Sequence, residues 1–271
     1  MLQDCKRKYV SNSLGHIEVS LCHLPYISFG GFMHFKAVLV FTLLSILTNV
    51  TMAKQAIASY DLKTFDVSIS KLPVGYNGHN IKKIITELYK RKNAKKDQYE
   101  TTKDFQNRIA RKNNQPIYGK VLSTGYQTYV TQLDQEYDAD KGTLVLSTGI
   151  DDKDELLAAF TNENSPTRVF CEFYNLKTDI MSNSAFNKYI SKGKFSLSMK
   201  SIPPNKAKKY KGKIDILYVL RVTNPSDVDG SGQHWKTGIQ ETTTNSFSLP
   251  VNVSQIWVFN KSTGEIFYKF K

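Results

Sequence analysis

Residues 255–270 read QIWVFNKSTGEIFYKF and decide the fold of this chain. Two runs of β-branched, aromatic and other apolar residues, 255–259 and 265–270, flank a short segment that contains Gly264. This pattern predicts a β-hairpin with its turn at 260–264. Because both faces of the two strands are apolar, we expect the hairpin to be buried on both sides and to be central to the fold.

Alternating or β-rich segments predict further strands upstream of this hairpin. They cover residues 121–130, 143–146, 168–174, 194–202 and 214–223. The segment 138–142 between the first two is typical of a turn. In the third strand Cys171 shares a face with Val169 and Phe173, so we expect a buried, unreactive thiol.

A helix is predicted from Ile81 to Tyr89, where apolar residues recur at helical spacing. The preceding Asn80 is a favourable N-cap. This helix would direct four basic side chains outward, namely Lys82, Lys83, Lys90 and Arg91.

A second helix is predicted from the Thr101-x-x-Asp104 spacing, which resembles a capping box with aspartate in the place of glutamate. The helix would extend to about Lys112. Asp104 and Arg108 stand in the order that favours an i, i+4 ion pair, so we expect this pair on the helix surface.

The order of the predicted elements indicates the fold class. Residues 54–115 are basic and largely helical, whereas 116–271 are β-rich, with short helices predicted at 151–160 and 184–192. We therefore expect an α+β fold in which N-terminal helices pack on a mostly antiparallel β-sheet.

The N-terminal fifth of the chain contains the pattern of a secretory signal peptide. The apolar run AVLVFTLLSIL at 37–47 follows a short basic start, and a small-x-small exit precedes Lys54. We expect a signal peptide at 33–53 and a periplasmic or secreted protein. The alternative is an uncleaved anchor, although a bilayer span needs about 20 apolar residues and this run is shorter.

Residues 1–32 are polar and do not suit a signal peptide, so we expect them to be a spurious or unusual leader. Translation from Met33 is the interpretation that we favour, and translation from Met1 stays open. The mature chain, 54–271, is long enough for one domain with a normal core, and we expect a single exported domain.

Basic residues are concentrated at the mature N-terminus. Residues 1–53 hold four of the 37 Lys/Arg and two of the 24 Asp/Glu, so residues 54–271 carry 33 against 22 and a net charge of +11. Of this charge, residues 54–120 contribute +9, with 15 basic groups and six acids. Such a chain favours anionic partners, through a nonspecific and salt-sensitive attraction.

The sequence gives little support for a metal or cofactor. Cys171 is the only cysteine of the mature chain, so no intramolecular disulfide forms there. His79 and His234 lie far apart, and the second belongs to a Gly230–Trp235 segment that is typical of a flexible loop. Zinc-ligand spacings and glycine-rich phosphate loops are missing from the sequence, so we expect no metal, no cofactor and no nucleotide.

The segment 203–213, PPNKAKKYKGK, is the strongest candidate for binding. It places five lysines around one tyrosine between two predicted strands. Two interpretations stay open: a charged tip that keeps a long hairpin soluble, and a polyanion-binding loop. The candidate polyanion-binding residues are Lys206, Lys208, Lys209 and Lys211, with Lys82 and Lys83 of the first helix.

Three segments carry a resemblance to a known group of proteins. They are YETTKDFQNR at 99–108, YDAD at 137–140, and a terminal Trp-Val followed by Thr-Gly-Glu at 257–265. The chain resembles a group of exported Gram-negative bacterial proteins of unknown function. This chain has Tyr99 where that group usually has phenylalanine, and Asp104 where it has glutamate. The resemblance implies an envelope location and no particular activity.

Two functional classes follow. The first is a non-enzymatic binding protein with a basic surface, whose partners are anionic envelope polymers or an envelope protein. The alternative is an envelope hydrolase whose carboxylates converge only in three dimensions, with Glu172, Asp215 and Glu241 as candidates. A deep pocket that joins two carboxylates, or an acid and His234, would indicate the hydrolase.

Overall fold

Strands dominate the part of the chain that the computed structural model describes, residues 60–149, 155–186, 188–191 and 193–271. In chain order the strands are β1 (Gln127–Gln132), β2 (Asp134–Asp138), β3 (Thr143–Gly149), β4 (Glu155–Asn164), β5 (Arg168–Lys177), β6 (Ile190–Ser191), β7 (Lys194–Met199), β8 (Ile214–Val222), β9 (Asp229–Thr237), β10 (Gln240–Asn260) and β11 (Ile266–Phe270). The α-helices are α1 (Ile81–Lys92), α2 (Thr102–Asn113) and α3 (Pro204–Tyr210). The predicted α+β class is confirmed.

The long strand β10 organises a seven-stranded mixed sheet. Five of its strands follow the order β1-β8-β10-β5-β4, and β9 and β11 also pair with β10. The first half of β10 pairs with β5 in parallel and with β9 in antiparallel orientation. Its second half pairs with β8 and β11, both antiparallel. The partners change between Pro250 and Val251, and a register shift between Val253 and Gln255 lies within the pairing with β8. A second sheet has the order β2-β3-β7-β6.

The predicted hairpin at 255–270 is confirmed. Trp257 and Phe259 on one face of β10 pack with Phe65 and other residues of the irregular segment 60–79, and the Phe65 and Trp257 ring centroids are 5.2 Å apart. The opposite face of the same strand contributes Ile256 and Val258 to the main core. Both faces of β10 are covered, which explains why this strand is apolar on both sides. The residues of β11 are only partly buried or exposed, so the predicted burial on both sides holds for β10 and is wrong for β11.

The two predicted N-terminal helices are also confirmed. The Asn80 side chain accepts a hydrogen bond from the N–H of Lys83, and α1 buries its predicted apolar stripe. The Thr101 side chain accepts from the N–H of Asp104 and caps α2. Helix α2 has no buried residue, so it lies at the surface.

Two side-chain predictions on these helices are wrong. Arg91 was expected to face outward, but it is 8% exposed and donates to backbone carbonyls near the end of α2. Arg108 was expected to pair with Asp104, but it forms two bonds of 2.8 Å with Glu100. Asp104 instead accepts from the Thr101 hydroxyl, because that contact completes the cap.

The prediction of two short helices at 151–160 and 184–192 is wrong for the parts of these segments that the structure describes. Glu155–Asn164 is strand β4, since its backbone pairs with β5 and this tertiary pairing outweighs the helix propensity of leucine and alanine. The second segment forms turns and the short strand β6.

Two segments that were predicted to be loops form regular secondary structure. The segment 203–213 contains helix α3, which Pro204 opens at its first turn. The glycine-rich segment 230–235 belongs to strand β9. A Cβ at Gly230 would meet the ring of Tyr89 at 2.7 Å, so the missing side chain lets α1 approach the sheet.

The remaining strand and turn predictions agree with the structure, although the strand predicted at 121–130 begins only at Gln127 and the strand predicted at 194–202 ends at Met199. Cys171 is buried in β5, as predicted. The predicted leader and signal peptide lie outside the described residues. Among the helices that are described, none has the length and apolar character needed to cross a membrane.

Candidate functional site: a lysine-lined cleft

A cleft of about 630 Å³ separates helix α3 from the turn between β10 and β11; we refer to it as the α3 cleft. Its helix side consists of Pro203, Asn205, Lys206, Lys209, Tyr210 and Lys213. Its turn side consists of Asn260, Ser262, Thr263 and Glu265. The volume falls in the range of about 300–1,000 Å³ that is typical of small-ligand sites.

Helix α3 directs two of its three lysines to the cleft because its apolar side is anchored. Ala207 and Tyr210 are both 7% exposed and belong to the main core. Lys206 and Lys209, one turn apart, are exposed and line the cleft. Lys213 follows the helix and lines the cleft as well.

Tyr210 forms an aromatic wall beneath these lysines. Its ring centroid lies 5.2 Å from that of Phe267 in β11, which fixes the ring against the sheet. The ammonium nitrogen of Lys206 lies 5.7 Å from the Tyr210 centroid, within the range of a cation–π contact. The cleft therefore combines an anchored apolar surface with exposed positive groups.

Backbone hydrogen bonds join the two sides of the cleft. The N–H of Lys261 donates to the carbonyl oxygen of Lys213 at 2.8 Å. In the turn, the Asn260 side-chain oxygen accepts from the N–H of Ser262 at 2.9 Å. These bonds hold the turn next to α3, so the cleft is largely formed before any ligand enters.

The cleft is electropositive. Lys206, Lys209 and Lys213 form no ion pair with any residue that the structure describes. Behind the turn, Lys261 lies 3.2 Å from the carboxylate of Asp215. Burial raises the pKa of Asp215, and the nearby Lys261 opposes this shift. Three cations that have no ion-pair partner among the described residues therefore face one carboxylate in the cleft, that of Glu265.

The structure brings together only part of the predicted polyanion set. Lys206 and Lys209 line the cleft, whereas Lys208 and Lys211 are exposed but do not line it. On α1, Lys82 is 3.2 Å from the Glu172 carboxylate, and so its charge is partly compensated. Lys83 is exposed on the same helix. The additional cation, Lys213, and the whole turn side were not predicted as site residues.

A second cleft, of about 660 Å³, lies beside the loop between α1 and α2. Its lining includes Lys95, Lys96 and Tyr99. Tyr99 is 89% exposed as a whole residue. Arg108 also lines it but is held by Glu100, and the two hydrogen bonds lower the pKa of Glu100 to about 2. This site has fewer uncompensated groups than the α3 cleft.

A buried Thr–His contact superficially resembles catalytic machinery. The Thr128 hydroxyl lies 2.8 Å from Nδ1 of His79, and the Thr128 N–H donates to the same nitrogen. Nε2 then carries the proton and donates to the carbonyl oxygen of Lys63 at 2.8 Å. His79 is 2% exposed and Thr128 is fully buried, so no substrate reaches them and the contact is structural.

The carboxylates named for a hydrolase do not converge. Glu172 contacts Lys82, and Asp215 contacts Lys261. Glu241 lies 3.7 Å from Arg168 and 3.6 Å from Lys236. Neither of the two clefts is lined by these three acids or by His234. The described part of the chain also contains no group of three side chains suited to hold a metal ion.

Comparisons with known proteins add no relative. No protein-family model, curated protein or solved structure matches this chain. The resemblance to exported bacterial proteins therefore stays a prediction, and the indication of function comes from the chemistry of the α3 cleft.

Proposed function

We propose that this protein is a non-enzymatic, exported binding protein that holds an anionic polymer of the bacterial envelope in the α3 cleft. The observation that carries the proposal is the set of three lysines, Lys206, Lys209 and Lys213, around one preformed cleft without ion-pair partners among the described residues. Three ammonium groups supply nine N–H donors, which suits a ligand with several acceptor oxygens.

The surroundings of the cleft favour binding by a rigid site. Tyr210 forms an aromatic wall that Phe267 holds in place, and the Lys213–Lys261 backbone bond connects the segment after α3 to the turn. The ligand thus meets positive charge inside a cleft, where the charges of the walls act together and attraction is stronger than on a flat surface. The net positive charge of the chain would speed the encounter with a polyanion.

The location is part of the proposal. The predicted signal peptide at 33–53 and the resemblance to exported proteins support a periplasmic or secreted protein. We propose a scaffold of one domain, in which the N-terminal helical region packs on a mostly antiparallel sheet and the α3 cleft opens on one side.

Charge reversal tests the binding proposal. The variant K206E/K209E/K213E changes three cleft lysines, and the matched control K208E/K211E/K83E changes three exposed lysines outside the cleft. Binding of polygalacturonate, a polymer with one carboxylate per sugar, would be titrated over a range of salt concentrations with both variants.

We expect the cleft variant to lose at least about tenfold in affinity and to show a shallower salt dependence by roughly three charges. The control has the same net charge but should change affinity by no more than about threefold, because its lysines act only at long range. Equal losses in both variants would contradict the proposal, since they would indicate attraction by diffuse charge alone.

A further inference from the structure

A carboxylate lies among the lysines of the α3 cleft. Glu265 lines the cleft, is exposed, and forms no ion pair with any described residue. Its position is fixed by the backbone, because its carbonyl oxygen accepts from the N–H of Asn260 at 2.8 Å and its N–H donates to the Thr263 hydroxyl at 3.3 Å. A cleft that selected only negative charge would gain nothing from this group.

We infer that the ligand of the α3 cleft is an acidic saccharide, a chain of hydroxylated sugar units that carry carboxylates, and not a polyphosphate. This inference rests on the proposed function and names the class of its ligand. The juxtaposition that carries it is Glu265 facing Lys206, Lys209 and Lys213 across one cleft.

The chemistry of Glu265 separates the two ligand classes. A carboxylate accepts charge-assisted hydrogen bonds, and neighbouring hydroxyls of a sugar supply the donors. An ionised polyphosphate has only acceptor oxygens, so the same carboxylate repels it at every approach. A site that contains both ammonium groups and a free carboxylate therefore complements a ligand that carries both acids and hydroxyls.

The other polar groups of the cleft agree with a hydroxylated ligand. Ser262 contributes a hydroxyl that can donate or accept, and Asn205 contributes an amide. The Asn205 side-chain oxygen already accepts from the N–H of Lys206 at 2.8 Å, which leaves its amide N–H groups to donate to the ligand. Tyr210 offers a small apolar surface for the carbon face of a sugar ring.

The test uses the full chain and two probes: an oligogalacturonate and a linear polyphosphate of equal charge, each titrated by calorimetry. We expect Glu265→Gln to weaken oligogalacturonate binding by about five- to tenfold, because an ionised acceptor is replaced by a neutral one. The same variant should bind polyphosphate more tightly by about two- to fivefold, because a repulsive charge is removed.

Glu136→Gln is the matched control, since Glu136 is exposed in β2 and does not line the cleft. It should leave both affinities within about a factor of two. If Glu265→Gln tightens the binding of both probes, the saccharide inference is overturned, and an electrostatic site of low selectivity remains.

The lysine variant distinguishes this failure from failure of the proposed function. If K206E/K209E/K213E weakens both probes while Glu265→Gln tightens both, the cleft binds polyanions and only the ligand class is wrong. If the lysine variant weakens neither probe, the cleft is not the binding site, and both the proposed function and the inference fail.

Discussion

The guanidinium of Arg91 lies 2.6 Å from the carbonyl oxygen of Lys112, and this contact ties helix α1 to the end of helix α2. The same side chain donates to the carbonyls of Gln115 at 3.0 Å and Pro116 at 2.8 Å. The last carbonyls of a helix lack partners within the helix, so a buried arginine is well suited to satisfy them. Because no residue of α2 is fully buried, this polar contact helps to hold the helix against the rest of the protein.

Replacing Arg91 with alanine should therefore destabilise the protein by about 3 kcal/mol, since three carbonyls lose a charged donor and the buried arginine side chain leaves a cavity. Urea unfolding followed by circular dichroism would measure the change. Arg111→Ala is the control, because Arg111 is exposed near the end of α2 and its side chain donates to the carbonyl oxygen of Asn107 in the same helix. It should alter stability by less than about 0.5 kcal/mol. Equal effects of the two substitutions would contradict the capping role of Arg91.

The sequence predicts those elements whose signals are local. The hairpin at 255–270 and helix α1 each combine a clear apolar period with a turn or cap, and both are confirmed. Strand β4 could not be recognised, because ELLAAF has helix formers and only pairing with β5 makes it a strand. The inward direction of Arg91 depends on α2, which α1 meets only after folding.

The site was predictable on one side only. A dense run of lysines marks Lys206 and Lys209 in the sequence, but it does not separate them from Lys208, which lies outside the cleft. Glu265 belongs to a turn far along the chain and joins the site through the pairing of β10 with β8 and β11. Because this contact depends on pairing between strands that are distant in the chain, no local sequence pattern predicts it.

The stability of the protein should depend on the protonation of His79. Burial is the largest cause that lowers the pKa of His79 below its ordinary value of 6.5. Folding thus favours the neutral imidazole, and the unfolded chain takes up the proton first as the pH falls. We expect the free energy of unfolding to decrease as the pH drops below about 6.5. The decrease should continue until the pH passes below the lowered pKa that His79 has in the folded protein.

Urea titrations between about pH 8 and about pH 5 would measure this decrease. His79→Gln should flatten the profile in that window, whereas His234→Asn should preserve it, because His234 is exposed in β9. A profile that His79→Gln leaves as steep as before would show that another group causes the loss of stability.

The contributions of Asp215 and Lys261, the ion pair behind the α3 cleft, to the free energy of unfolding should depend on each other. The Asp215 side chain is 5% exposed and that of Lys261 is 39% exposed, so Lys261→Met leaves a buried carboxylate without a cation. We expect a loss of about 2 kcal/mol at neutral pH, below the value for a fully buried pair because the lysine is partly solvated. The double variant D215N/K261M should recover at least about 1 kcal/mol of this loss in a double-mutant cycle.

The pH dependence of this effect has a defined sign. Loss of Lys261 should raise the pKa of Asp215 further, since the lysine opposes the effect of burial. Protonation then removes the buried charge, so the difference between Lys261→Met and the unsubstituted protein should shrink as the pH approaches about 4. A difference that stays constant over this range would mean that lost packing, and not charge, causes the destabilisation.

Gly264 should be the least replaceable residue of the β10–β11 turn. Its φ is +74°, and a Cβ there would overlap the carbonyl oxygen of Leu72, to which the backbone of this turn packs closely. Gly238 has a similar φ of +60° but open space around it, so it serves as a matched control. Gly238→Ala should cost about 1 kcal/mol from backbone strain alone, whereas Gly264→Ala should cost about 3 kcal/mol or more because the backbone of Leu72 has to move. Urea unfolding of both variants measures the difference. Equal losses of stability would mean that the turn accommodates the new methyl group without strain. Because Gly264 holds the turn side of the α3 cleft in place, Gly264→Ala should also weaken binding in that cleft.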